Sequence, residues 1–189
     1  MKPGPGPRMV YPSAMKIQDK CIVVTGAASG IGRALVHRFH TEGARHLVAA
    51  DINETGAEET AQAVGGSAMR CDVSDEAAVE KLIEDTESRF GPIDLFCSNA
   101  GIGAGMDLAA PNADWQISWD VNVMSHVYAA RHLVPRMIER GGGYLMNTSS
   151  AAGLLNQLGG AAYGTSKHAA VGFGEWVAMT YKHLSLIHI

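Results

Sequence analysis

Cysteine is scarce in this protein, with three among 189 residues. Cys21, Cys71 and Cys97 are odd in number and form no CxxC pair, so a disulfide framework is excluded as the organising principle. Each lies in or beside an apolar run, where a thiol behaves as a small buried side chain. Charge is sparse too, at 18% of residues, and no basic block is present; the net charge is -4. That balance argues against a nucleic-acid or anionic-membrane surface. No apolar run reaches the length of a membrane span. The N-terminus lacks the apolar core of a signal peptide, which gives a cytoplasmic protein as the expectation. His37 and His40 share a helix face, but no HExxH or Cys/His cluster accompanies them, so no metal site is expected.

What the sequence does have is 47% hydrophobic residues, enough for a core in one domain. Residues 1–14 (MKPGPGPRMVYPSA) carry Pro and Gly without periodicity and read as a flexible tail, and Met15 could equally be the true start. From there strands and helices alternate. The apolar run Cys21–Thr25 reads as strand, and Ile31, Leu35 and Phe39 recur at helical spacing through Ile31–Glu42. His46–Asp51 is the second strand, Glu54–Val64 a helix and Ala68–Val73 the third strand. Asp75–Phe90 is a helix with Ser74 as its N-cap. Asp94–Ser98 is the fourth strand. A long helix spans about Ala113–Arg140, Tyr144–Thr148 is the fifth strand, and a last helix runs from Tyr163 to about His183. Such alternation implies a doubly wound parallel sheet of α/β, Rossmann type, over residues 15–183.

The join between the first strand and first helix is Thr25-Gly26-Ala27-Ala28-Ser29-Gly30-Ile31-Gly32. Glycines there let backbone approach a pyrophosphate, and the helix N-terminus presents free N–H groups to the anion. The spacing is G-x-x-x-G-x-G rather than the commoner G-x-G-x-x-G. Asp51 ends the second strand 19 residues after Gly32, close to where an acidic residue meets the ribose 2′-OH of NAD. A carboxylate repels a 2′-phosphate, and no Lys or Arg lies inside the glycine loop. NAD is therefore favoured over NADP.

Tyr163 and Lys167 are four residues apart on one helix face. A phenol is a poor base at neutral pH, and a neighbouring ammonium favours its ionised form. Asn147-Thr148-Ser149-Ser150 follows the fifth strand, at the sheet edge where ligands bind. Ser150 lies 13 residues before Tyr163, across a Gly-rich loop.

These elements together resemble the short-chain dehydrogenase/reductase family. The resemblance rests on TGAASGIG at Thr25–Gly32, Asp51, Cys71-Asp72-Val73, Asn99-Ala100-Gly101, Asn122, Ser150 and Tyr163-Gly164-Thr165-Ser166-Lys167, in family order from about Lys16 to His183. It implies strand order 3-2-1-4-5 and hydride transfer between NAD(H) and a secondary alcohol or ketone. Tyr163 would be the acid/base, with Lys167 tuning it and holding the nicotinamide ribose. Ser150 would orient the substrate oxygen, and Asn122 would anchor a water chain from Lys167. Gly26, Ser29, Gly30, Ile31 and Gly32 would meet the phosphates. Asp72 and Val73 would contact adenine, and Asn99, Ala100 and Gly101 would line the cofactor's inner face. The sequence departs from the family at Ser98, where a first Asn is frequent. The apolar, glycine-rich loops Ile102–Asp107 and Leu154–Ala162 are expected to line a pocket for a largely hydrophobic small molecule. A homodimer or homotetramer is the family expectation, through the long helix and the last one, with Trp115, Trp119, Tyr128 and Trp176 either in that face or in the core. The alternatives are a non-catalytic NAD(H)-binding regulator, or an inactive fragment of the enzyme.

The family sheet continues with two more strands, which this sequence lacks. Leu184–Ile189 (LSLIHI) matches no family element and equals the translation of a transposon-end adapter used in building sequencing libraries. It is expected to be non-native, and the protein to be truncated at its C-terminus.

Overall fold

The computed structural model describes residues 15–181. The expected flexible tail at residues 1–14 and the expected non-native stretch Leu184–Ile189 lie outside the described residues, as does the expected helix end at His183.

Five parallel strands form one sheet: β1 (Cys21–Thr25), β2 (His46–Asp51), β3 (Ser67–Arg70), β4 (Leu95–Ser98) and β5 (Tyr144–Asn147). Their order is β3-β2-β1-β4-β5, as the resemblance implied. Every residue of central β1 is buried, which a strand covered on both faces requires. The alternation of side chains divides the sheet's contacts between two cores. On one face Ile22, Val24, Leu47 and Cys97 meet α1 (Gly30–Thr41) and α2 (Glu54–Val64) through Val36, Phe39, Ala61 and Val64. On the other, Val23, Val48, Phe96 and Leu145 meet α3 (Glu76–Phe90) and α5 (Ser125–Glu139) through Val79, Ile83, Leu133 and Met137. Cys21, Cys71 and Cys97 are all buried and unpaired, and burial pushes the Cys21 and Cys71 thiols up to about 11 and about 12.

Several expected boundaries move, each for a local reason. The third strand ends at Arg70, because Cys71 makes its last ladder bond to Asp51 O and Asp72 then turns the backbone by accepting from Ser74 N at 3.0 Å. The N-cap of α3 is Asp75, which accepts from Ala77 N at 3.0 Å; the Ser74 hydroxyl is spent on Asp72 instead. The long helix is not continuous. It consists of α4 (Asn112–Trp119), a π-helical turn over Asp120–Met124, and α5. A wide turn of this kind often marks a functional position, and this one centres on Asn122. The last helix, α6 (Ala161–Thr180), opens before Tyr163. Ile31 is 64% exposed although it sits on the helical repeat with Leu35 and Phe39, so its side chain serves something other than the core. Trp119 and Trp176 are likewise exposed, which removes them from the core.

Candidate active site

A cleft of about 960 Å³ opens along the carboxyl edge of the sheet. At one end lies the β1–α1 loop. Its backbone is forced by two glycines. A Cβ on Gly26 would lie 2.8 Å from Ala100 Cα, at a φ of +67°; one on Gly32 would lie 2.0 Å from Gly26 O. No other residue allows both approaches. Ser29, the N-cap of α1, makes no capping bond with its hydroxyl, and Ser29, Gly30, Ile31 and Gly32 all line the cleft. The first turn of α1, with its free N–H groups, thus stands on the cleft wall.

Asp51 ends β2 beside this loop. Its Oδ2 accepts from Ala28 N and its Oδ1 from Asn53 N, each at 2.9 Å. The carboxylate therefore fixes the loop as well as facing the cleft. The cap of α2 is Asn53, which accepts from Gly56 N. Arg33, just past the loop, is a cation that nothing in the residue order singles out. Its guanidinium donates to Ala28 O at 2.6 Å and Thr60 Oγ1 at 3.0 Å and pairs with Glu59 at 3.2 Å, and it is not on the cleft wall. Asp72 and Val73 line the cleft next to Ile52, whose exposed apolar side chain no sequence motif marks.

The middle of the cleft floor is held by Thr25 and Asn99. The Thr25 hydroxyl accepts from Asn99 N at 3.0 Å and Ala100 N at 3.2 Å, and donates to Cys97 O. Asn99 Nδ2 donates to Thr25 O at 3.0 Å and its Oδ1 accepts from Thr148 Oγ1 at 3.1 Å. One side chain thereby joins the ends of β1 and β5.

At the other end stand Tyr163 and Lys167, both on the wall. Lys167 is 3% exposed; its ammonium donates to Thr148 O at 3.2 Å and lies 5.9 Å from the centre of the Tyr163 ring. Burial pulls its pKa below the ordinary lysine range. A Cβ on Gly101 would lie 3.3 Å from that ammonium and 3.2 Å from Asn122 Oδ1, so a side chain there would crowd both. Asn122 is wholly buried behind the wall; it bonds Ile102 twice and donates to Ser166 Oγ at 3.0 Å. Ser149 rather than Ser150 lines the cleft, and Ser150 Oγ accepts from Ala152 N at 3.2 Å. Ser98 is buried with an unpaired hydroxyl.

The model of the short chain dehydrogenases matches residues 20–188. The protein belongs to the short-chain dehydrogenase family. It is 40% identical over 164 residues to 1-deoxy-11-beta-hydroxypentalenate dehydrogenase of Streptomyces arenae, covering 82% of its own length and 58% of that protein. It is 38% identical over 170 residues to 3beta-hydroxysteroid dehydrogenase 2 of Eggerthella lenta, covering 84% and 64%. Among solved structures it resembles a short-chain dehydrogenase/reductase from Burkholderia phymatum in complex with NAD, with a TM-score of 0.87, 32% identity, and coverage of 92% of this protein and 65% of that one. It thus spans somewhat under two thirds of these relatives' lengths. For this family member, the glycine loop, Asp51, Asp72, Asn99, Tyr163 and Lys167 gather on one cleft, while Asn122 stands behind it. None of the described helices is long and apolar enough to cross a membrane.

Proposed function

We propose that the cleft binds NAD(H) and that its Tyr163 end exchanges the proton of a secondary alcohol/ketone pair. The observation that carries this reading is the buried Lys167 ammonium beside the Tyr163 ring, at the far end of a cleft that begins in a glycine-rich helix N-terminus.

The donor set suits a dinucleotide. The N–H groups opening α1, with Gly26, Gly30 and Gly32, would hold the pyrophosphate. The Asp51 carboxylate would accept from an adenosine ribose hydroxyl, and Ile52, Asp72 and Val73 would flank the adenine. Asp51 disfavours a 2′-phosphate there, and Arg33 is committed to Ala28, Thr60 and Glu59, so NAD is preferred over NADP. An ammonium has three donors. Thr148 takes one from Lys167, and the others serve ribose hydroxyls. When bound, the nicotinamide supplies or accepts the hydride.

The protein's own groups handle the proton and the orientation. The Tyr163 phenol gives a proton to the substrate oxygen or takes it away, with the Lys167 ammonium 5.9 Å from its ring centre. Ser150 Oγ accepts from Ala152 N and keeps its own proton free; it stands just off the cleft wall, one residue past Ser149, and would orient the substrate oxygen by turning that hydroxyl toward Tyr163. Asn122 keeps Ile102 and Ser166 in register behind Lys167.

The substrate is a largely apolar alcohol. The loops on either side of the Tyr163 end meet where Gly105 O accepts from Ala162 N at 3.1 Å, and they expose Met106, Leu154, Leu155 and Leu158. Names of two relatives, a hydroxysteroid and a hydroxypentalenate dehydrogenase, support that class. An apolar groove between α5 and α6, lined by Val134, Ile138, Phe173 and half-exposed Trp176, supports association with a second copy. The test is NADH titration by fluorescence, together with NAD-dependent oxidation of a panel of apolar secondary alcohols. No NADH binding, or binding with no turnover of any panel member, defeats the reading.

A further inference from the structure

Among the described residues, three buried side-chain atoms lack a hydrogen-bond partner in the protein: Ser98 Oγ and both ring nitrogens of His126. They lie on one side of the sheet. Ser98 ends β4 and is the register partner of Asn147, which ends β5. Two residues back, Phe96 and Leu145 belong to the core on the α3/α5 side. Strand alternation therefore aims Ser98 and Asn147 at that same side. His126 sits there in the first turn of α5, 1% exposed. The Asn147 amide is near enough to favour a charged ring yet outside hydrogen-bond geometry, and the charge acting on the ring is that of Lys167, from α6.

Proteins pair nearly all such buried groups, with each other or with internal water. A neutral imidazole offers one donor and one acceptor, a hydroxyl one donor and two acceptor sites, an amide both kinds. One water, with two donors and two acceptors, completes this set where direct contacts do not. We propose that Ser98, His126 and Asn147 enclose an internal water site, and that through it His126 acts as a positioning residue for Lys167. The link is short. Thr148, the residue after Asn147, supplies the carbonyl that accepts from the Lys167 ammonium. Securing Asn147 to α5 secures that carbonyl, and a ring held neutral does so without opposing the lysine's charge. The link to Lys167 rests on the reading of Lys167 as part of the dinucleotide site; the water site does not.

Histidine-selective 15N labelling of the protein tests the water site without any ligand. His126→Gln identifies the His126 signals by their loss. In the wild type these signals report one neutral tautomer between pH 5.5 and 8 (the ordinary titration range of histidine is about pH 6.5). In Ser98→Ala, a mild truncation, they move while those of the exposed histidines stay. Equal averaging of the two tautomers, or indifference to Ser98→Ala, overturns the water site. NADH titration then tests the positioning role. His126→Leu weakens NADH by about fivefold or more, whereas His126→Gln, which keeps a donor and an acceptor, stays within about twofold. Equal losses in both variants, or in neither, overturn that role. A wild-type protein that binds no NADH defeats the dinucleotide reading and the Lys167 link with it, and the ring-nitrogen measurement still decides the water site.

Discussion

Asn122 holds Ile102 by both of its backbone groups, accepting from the N–H and donating to the carbonyl at 2.9 Å each. The π-helical turn over Asp120–Met124 carries this side chain, and its third bond, to Ser166, reaches α6. One buried amide thus ties the post-β4 loop to the helix that bears Tyr163 and Lys167. Asn122→Ala takes the side-chain partner from the Ile102 N–H and carbonyl and cuts the tie to Ser166, whose hydroxyl keeps its bond to Tyr163 O. We expect a loss on the order of 2 kcal/mol, read by urea unfolding, and weaker NADH binding alongside it. A change below about 0.5 kcal/mol, the level of an ordinary surface substitution, defeats the clamp.

Tyr163→Phe removes the phenolic oxygen and little else. The ring still packs on α6, and Lys167 keeps its bond to Thr148. Turnover should fall by about 100-fold or more, the usual scale for losing a general acid/base. NADH affinity should stay within a few-fold. Steady-state rates beside a cofactor titration separate the two. Near-normal turnover would remove Tyr163 from the acid/base role.

Much of this arrangement is legible in the residue order. Parallel strands follow from alternation of apolar runs with helical repeats, and the glycine loop, Asp51 and the Tyr163/Lys167 pair are local patterns. What escaped is what depends on approach between distant segments. The π-helical turn at Asn122 breaks a helix whose apolar repeat runs on past it. Ile31 keeps the helical period but faces the cleft, because it stands in the first turn where the helix has no sheet beneath it. Thr25 looks like an ordinary strand residue until its hydroxyl is seen to gather Asn99 and Ala100. Arg33 reads as a surface cation, yet it clamps the loop to α2. His126 shows nothing in the sequence to mark it as buried.

Asp51 has two duties that one substitution separates. As a charge at the ribose end of the cleft, it should set a preference for NAD over NADP. As an acceptor, it holds Ala28 N and Asn53 N. Asp51→Ala should narrow the NAD/NADP ratio by several-fold, since an unpaired carboxylate facing a phosphate is a discriminating element. It should also lower stability by about 1 kcal/mol, chiefly through the part-buried Ala28 N–H, since the exposed Asn53 N–H turns to water. Binding constants for both nucleotides and a thermal melt measure these separately. Wild-type protein that prefers NADP would contradict the first duty while leaving the second intact.

His126 should make the fold acid-sensitive in a definite window. Burial, reinforced by the Lys167 charge, pushes its pKa down to about 4, against an ordinary value near 6.5. Between those values the unfolded state binds a proton that the folded state excludes. Stability therefore rises with pH across the window. The contribution is complete above about pH 6.5, declines as pH falls, and is gone once pH passes below the folded value near 4. Between pH 7.5 and pH 5 this one group removes about 2 kcal/mol. The His46 ring, also depressed by burial and by Arg45, adds to the same slope in any variant that retains it. The comparison that isolates His126 is wild type against His126→Gln, each unfolded by urea at both pH values. The wild type should lose about 2 kcal/mol more than the variant on acidification. Parallel losses would mean that the ring accepts its proton in the folded state as readily as in the unfolded one.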